Sequence, residues 1–207
     1  MSSRFFLPAL LFVAGLLVLG AFYVMTRPTP LPGPVAAGDD EPGPYLVIQV
    51  AGEANGEVVI DLAEDVAPGH VERIVTLAEA GAYDDVVFHR VINDFMAQTG
   101  DVEHGKYGQS LALAGMGGSD LPDLDAEFSD ISFTRGIVGM ARSTSPNSAN
   151  SQFFITFAPA THLDGEYTVV GRVTEGMEVV DAIKRGDGGN GRIRGEPDRM
   201  ASVTVRN

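Results

Sequence analysis

The sequence predicts a mainly β domain, either a closed barrel or a sandwich, with two helical caps and an apolar helix before it. Three observations carry this prediction. Many short β-rich runs are separated by Gly, Pro, Asn or Asp, two segments place apolar residues at helical spacing, and a long stretch near the amino terminus has no charge. The chain has 207 residues and no cysteine, and residues 45–207 suffice for one domain whose core needs no disulfide.

The amino-terminal segment predicts a membrane anchor. After a short n-region at residues 1–4, residues 5–26 carry no charged side chain and could span a hydrocarbon core about 30 Å thick. We expect a transmembrane signal anchor, and a signal peptide cut near Val35, Ala36 and Ala37 is the alternative. Residues 27–44 contain six prolines and predict an extended linker. The expected location is the cytoplasmic membrane with the domain on its periplasmic side, or a periplasmic or secreted protein after cleavage.

The rest of the chain alternates between strand patterns and two helical patterns. Residues 45–50 and 57–62 predict a hairpin, because Asn55 and Gly56 are turn formers between them. Helices are expected at 69–80, after Pro68, and at 177–184. Six further runs predict short strands: 86–92, 95–98, 136–141, 152–157, 167–173 and 201–205.

Charge and side-chain spacing argue against several classes of partner. The net charge is −14, from 28 acidic and 14 basic residues, so the clustered cations that bind a nucleic-acid backbone are missing. The four histidines fall in separate segments, and the acidic run between Asp120 and Glu127 lacks the spacing of a calcium loop. We therefore expect no nucleic acid, no metal and no cofactor.

Three blocks of sequence are distinctive. They are FHRVINDFMAQTGD at 88–101, GIVGMARSTSPNSANSQFFITF at 136–157 and HLDGEYTVVGRV at 162–173. Together they resemble the cyclophilins, and the resemblance covers most of residues 46–205. It implies a closed eight-stranded antiparallel β-barrel with a helix at each end and a substrate groove on its outer face. It also implies a peptidyl-prolyl cis/trans isomerase that assists the folding of exported or membrane-proximal proteins.

The resemblance also implies roles for individual residues. Arg90 matches the catalytic arginine of the family. Nine residues match substrate-binding positions: Phe95, Met96, Gln98, Ala141, Gln152, Phe154, His162, Leu163 and Tyr167. Where many cytosolic members have tryptophan and histidine, this chain has His162 and Tyr167, and its loop at 142–150 departs from their Asn-Ala pattern. Weak cyclosporin binding is therefore expected. We also expect a monomer, with proline-containing polypeptides as substrates.

The chemistry of the reaction explains why an arginine suits it. Rotation about an X-Pro bond is slow because amide resonance opposes it with a barrier of about 18–20 kcal/mol. A guanidinium beside the prolyl nitrogen can donate to the lone pair only once the amide has twisted, and so stabilises the transition state selectively. The bound ring needs an apolar pocket, for which Phe95, Met96, Phe154 and Leu163 are the candidates.

Two alternatives stay open at this stage. Phe154 could be an ordinary core residue, whereas strand alternation assigns Phe88 and Phe153 to the core, opposite Arg90 and Phe154. The rival function is a proline-binding scaffold or holdase without turnover, although simple binding would not require Arg90.

Overall fold

The computed structural model describes residues 43–187 and 189–207, so the expected anchor and most of the linker lie outside the described part. Within it the protein is mainly β, with nine strands, two α-helices and one short 3-10 helix. The strands are β1 Tyr45–Ala51, β2 Gly56–Leu62, β3 Val86–Val87, β4 Arg90–Ile92, β5 Met96–Thr99, β6 Ile137–Met140, β7 Phe153–Thr156, β8 Val169–Glu175 and β9 Arg199–Arg206. The helices are α1 Pro68–Glu79 and α2 Met177–Ala182, and the 3-10 helix is Thr161–Leu163.

All the strands join one curled antiparallel sheet, in the order β3-β9-β1-β2-β8-β6-β7-β5-β4. The described residues therefore do not show the expected closed barrel of eight strands, since this sheet has nine strands and two edges. The difference arises in the predicted strand 86–92. Its first part pairs with β9 and its last part with β5, and the chain changes partner at Phe88 and His89. The two edge strands are thus consecutive pieces of one segment.

The hairpin and both helices form where the sequence predicts them. β1 and β2 pair in antiparallel register from Tyr45 opposite Asp61 to Val50 opposite Gly56. α1 begins and ends one residue before the predicted bounds, whereas α2 ends two residues early because Ile183 leaves the helical conformation. The side chain of Ala67 makes no capping hydrogen bond to α1. The carboxylate of Glu127 instead accepts hydrogen bonds from the backbone N–H groups of Gly69 and His70 in the first turn.

Apolar side chains form two clusters on opposite faces of the curled sheet. The inner cluster lies inside the curve and includes Phe88, Val91, Ala97, Phe153 and Ile155. The groove cluster lies on the outer face. Its buried members are Met96, Phe133, Ile137, Phe154, Ala160, Leu163 and Val169. Because side chains alternate along a strand, β4, β5, β6, β7 and β8 each contribute to both faces, and the outer one carries the candidate site.

Across residues 43–187 and 189–207, no helix combines the length and the apolar character that a membrane crossing requires. The predicted n-region, anchor and linker, residues 1–44, fall outside that part except for Gly43 and Pro44.

Candidate active site

Strand register brings distant parts of the chain side by side on the outer face. Arg90 of β4 lies opposite Gln98 of β5, and Gln98 lies opposite Phe154 of β7. Phe154 in turn lies opposite Gly139 of β6. These four positions form a row across the sheet, so that a cation, an amide, an aromatic ring and a glycine are neighbours.

The row borders a groove of about 300 Å³. Its described lining is Arg90, Phe95, Met96, Gln98, Ala141, Arg142, Phe154, His162, Leu163 and Tyr167. Met96, Phe154 and Leu163 are 2%, 5% and 7% exposed, so the floor is apolar and nearly closed from below. A floor of this kind suits a small apolar ring.

Ring packing holds the floor in place. Phe154 stacks on Phe133 with centroids 5.7 Å apart, and Tyr167 meets Phe154 edge-on at 5.8 Å. A Cβ at Gly139 would come within 2.6 Å of both phenylalanine rings. This close approach explains the glycine, because any side chain there would push the two rings off the sheet.

Arg90 is held by two of its nitrogens. Nε donates to the backbone carbonyl of Asn190 at 3.0 Å, and Nη1 donates to Oε1 of Gln98 at 3.1 Å. Nη2 has no hydrogen-bond partner among the residues that the structure describes. Partial burial lowers the pKa of Arg90, although a guanidinium remains charged at any working pH. The side chain is therefore fixed and cationic, and both N–H groups of Nη2 remain able to donate hydrogen bonds.

A hydrogen-bonded chain extends from Arg90 to a buried carboxylate. Nε2 of Gln98 donates to Oε1 of Gln152 at 3.0 Å, and Nε2 of Gln152 donates to the carbonyl of Gly117 at 2.7 Å. The N–H of Gly117 donates to Oδ2 of Asp101 at 3.0 Å. Since arginine can only donate and a carbonyl can only accept, each amide has one allowed orientation. All the donors point the same way, from cation to anion, which strengthens each bond.

Asp101 and His89 lie beneath this chain. The fully buried Asp101 accepts hydrogen bonds from the N–H groups of Gly115 and Gly117 through Oδ2, and from those of Glu103 and His104 through Oδ1. Burial lowers the pKa of His89 to about 4, although Asp101 partly opposes the shift. His89 is accordingly neutral at neutral pH and adds no charge beside Arg90.

The structure brings nine of the ten sequence-predicted site residues to the groove. Gln152 is the exception, because it lines a neighbouring cavity of about 450 Å³ that shares Gln98, Ala141 and Arg142 with the groove. The sequence prediction missed Arg142 as a lining residue of the groove, although the difference between loop 142–150 and the Asn-Ala pattern of the cytosolic members could have drawn attention to it. Among the described residues, no three histidine or acidic side chains are grouped so as to hold a metal ion.

Comparison with known proteins agrees with the fold. Residues 45–205 match the family model for cyclophilin type peptidyl-prolyl cis-trans isomerase. The chain belongs to the cyclophilin family. A relative from Brucella suis, named a probable peptidyl-prolyl cis-trans isomerase, is 53% identical over 154 residues, which cover 73% of this chain and 78% of the relative. A peptidyl-prolyl cis-trans isomerase-like protein from Emericella nidulans is 40% identical over 132 residues, which cover 62% of this chain and 75% of that protein.

Solved cyclophilins share the fold. A cyclophilin from Hirschia baltica superposes with a TM-score of 0.64 at 26% identity, covering 79% of this chain and 74% of that one. A cyclophilin from Cryptosporidium parvum, determined in the presence of the dipeptide Ala-Pro, has a TM-score of 0.66 at 24% identity. The superposition covers 79% of this chain and 99% of the Cryptosporidium parvum chain. The enzyme class that the sequence predicts, peptidyl-prolyl cis-trans isomerase, is confirmed by the family.

Proposed function

We propose that this cyclophilin accelerates the cis/trans exchange of X-Pro bonds in proteins exported to, or held near, the outer side of the cytoplasmic membrane. The observation that carries the proposal is the placing of Arg90 on the wall of a groove whose floor is Met96, Phe154 and Leu163. The solved relative from Cryptosporidium parvum was determined with a proline dipeptide, which is consistent with proline as the recognised residue.

The groove and the guanidinium would act in sequence. The apolar floor holds the proline ring by burying it, while the residue before the proline rotates. As the amide twists, its nitrogen lone pair localises and becomes an acceptor. Nη2 of Arg90 then donates to it, in an interaction that the planar ground states cannot make. The bonds to Asn190 and Gln98 hold the guanidinium in advance, so little reorganisation is needed when the charge shifts.

The test is the exchange rate of a proline tetrapeptide, measured by NMR exchange spectroscopy with the full-length protein. We expect acceleration in the wild type, and a loss of kcat/KM of about 10²- to 10³-fold in Arg90→Ala, which removes one transition-state donor. Arg90→Lys keeps the charge but loses the planar fork, so an intermediate rate is expected. Thermal unfolding of each variant checks that the fold persists.

The rival function, a proline-binding scaffold or holdase, makes the opposite prediction. If the wild type binds the peptide, as a chemical-shift titration would show, yet leaves its exchange rate unchanged, catalysis is refuted and the scaffold is favoured. Weak cyclosporin binding is also proposed, because His162 stands where a tryptophan would face the drug, and the same titration can measure it.

The proposed location depends on the apolar segment at residues 5–26 and on the proline-rich residues 27–44. Membrane fractionation followed by amino-terminal sequencing tests it. A protein in the membrane fraction that retains residues 1–4 supports the anchor. A soluble protein beginning near residue 38 supports the cleaved signal peptide. A soluble protein with an intact amino terminus contradicts both.

A further inference from the structure

Two residues of the groove lining, Arg142 and Tyr167, touch each other. Arg142 opens the loop after β6, and Tyr167 precedes β8. The guanidinium carbon of Arg142 lies 4.4 Å from the centroid of the Tyr167 ring. Tyr167 in turn packs edge-on against Phe154 of the floor. Arg142 and Tyr167 are therefore one unit in space, which extends from the apolar floor to the rim of the groove.

Backbone carbonyls hold Arg142 in this position. Nε and Nη2 donate to the carbonyl of Glu166 at 3.1 and 2.9 Å, and Nη1 donates to the carbonyl of Ser143 at 3.0 Å. The side chain is only 13% exposed. Three bonds and a stacked ring fix the orientation of this arginine, which distinguishes it from a mobile surface cation.

The charge of the groove differs from that of the whole protein. The chain carries a net charge of −14, yet the described lining of the groove contains Arg90 and Arg142 and no Asp or Glu. The carboxylate of Glu166 lies 3.7 Å from Arg142, but its side chain is 69% exposed. Water therefore screens that pair, and Glu166 neutralises Arg142 only in part.

Given the proposed isomerase function, we propose that Arg142 is a specificity-determining residue. Held against Tyr167, it makes the groove favour proline segments that carry a carboxylate side chain directly before or directly after the proline, and disfavour segments that carry an ammonium there. The reason is Coulombic attraction or repulsion at a partly desolvated site. Arg142 lines both the groove and the neighbouring cavity, so a chain that leaves the proline position through that cavity passes it.

The experiment compares matched peptides on the full-length protein. The residue before the proline, or in a second series the residue after it, is Glu, Gln or Lys, and each catalysed rate is divided by the uncatalysed rate of the same peptide. We expect kcat/KM to fall in the order Glu, Gln, Lys, with a Glu to Lys ratio of about tenfold at low ionic strength. The ratio should shrink as salt is added. If only one series responds, the result shows whether the residue before or the residue after the proline lies beside Arg142.

Variants assign the effect to Arg142. Arg142→Gln should reduce the Glu to Lys ratio about threefold or more, whereas Glu166→Gln should raise it by removing the competing carboxylate. Arg206→Gln is the matched control, because that arginine also lies over a tyrosine, Tyr45, at 5.2 Å, but on β9 outside the groove lining. It removes the same charge and should leave the ratio unchanged.

Equal rates for the Glu and Lys peptides in both wild-type series would overturn the inference while leaving the isomerase intact. So would an Arg206→Gln effect as large as that of Arg142→Gln. If no peptide is accelerated, the proposed function fails by itself. The preference is then judged from the dissociation constants of the Glu and Lys peptides, which support it if the Glu peptide binds more tightly and overturn it otherwise.

Discussion

From β4 to β8 the inner cluster and the groove cluster take alternate residues of the same strands, yet their roles differ: the inner cluster forms the core, and the groove cluster forms the floor of the candidate site. Phe153 and Phe154 are adjacent in β7, and both are nearly fully buried. Phe153 packs among inner-cluster residues on all sides and meets Tyr83 edge-on at 5.7 Å, whereas Phe154 packs on Phe133 and borders the groove. Burial alone therefore does not separate core from site, and the face of the sheet does.

The difference also shows in polar neighbours. The groove cluster adjoins a chain of hydrogen bonds that ends at Asp101, whereas in the inner cluster Tyr83 donates a single hydrogen bond to the carbonyl of Ser151. A change in the inner cluster should thus lower stability. A change on the groove side should lower catalysis more than stability. The first and the last of three predictions test this contrast, and the largest expected effect comes first.

The largest effect should come from the adjacent phenylalanines. Phe153→Ala should lower the free energy of unfolding by about 3–5 kcal/mol, because it leaves a closed cavity. Phe154→Ala should cost less stability, since water can enter from the groove, and should lower kcat/KM more. Denaturant unfolding and the tetrapeptide assay, applied to both variants, measure the two quantities. Equal losses of stability, or a larger loss at Phe154, would contradict the assignment of the two faces.

An acid-dependent loss should come from His89, which is buried but belongs to neither cluster. Its pKa is lowered from 6.5 to about 4 by burial, so below pH 6.5 the unfolded chain binds a proton that the folded one does not. Stability that is fully present above pH 6.5 should fall by about 3 kcal/mol as the pH drops to 4.

Denaturant unfolding of the wild type and of His89→Gln across that range measures the contribution. The His89→Gln curve should lack most of this fall. His162→Gln, at an exposed ring, should retain it. A wild-type curve that is flat between pH 6.5 and 4 would mean that the ring is protonated in the folded state as readily as in the unfolded one.

The smallest effect tests the polar layer beside the groove. Asp101→Asn leaves backbone N–H groups facing an amide that accepts through only one atom, and should cost about 2 kcal/mol of stability. Because Gly117 would shift under Gln152, we also expect kcat to fall about fivefold with KM little changed. Asp123→Asn is the control, since Asp123 lines the neighbouring cavity and accepts one hydrogen bond from Asn150. Loss of stability without loss of kcat would show that Asp101 does not position Arg90.

Local pattern was sufficient for most of the fold and for the choice of face. Turn residues located the hairpin, and Pro68 and the apolar spacing located α1 to within one residue. Strand alternation assigned Phe153 to the core, opposite Phe154, and Phe153 belongs to the inner cluster. Phe88 also belongs to that cluster, but alternation does not explain it, because Phe88 is two residues from Arg90 and the strand is interrupted at Phe88 and His89. These features depend on residues close in sequence, which is why sequence alone could predict them.

Other features depend on where separate segments meet. The predicted strand 86–92 divides because its first part pairs with β9 and its last part pairs with β5. The first turn of α1 is capped by Glu127, which lies 57 residues after His70. The carbonyl of Asn190 holds Arg90 from 100 residues away. No local pattern indicates such partners, since they follow from register and from the path of the loops.

By itself the sequence determined the family, the order of strands and helices along the chain, and nine of the residues that line the groove. Those properties are local or are carried by contiguous blocks. The tertiary structure alone decided that the sheet has nine strands with two edges, that Gln152 supports Arg90 from the neighbouring cavity, and that Arg142 lies on Tyr167. Each of these is a contact between side chains or strands distant in the chain, whose geometry exists only once the sheet has curled and packed.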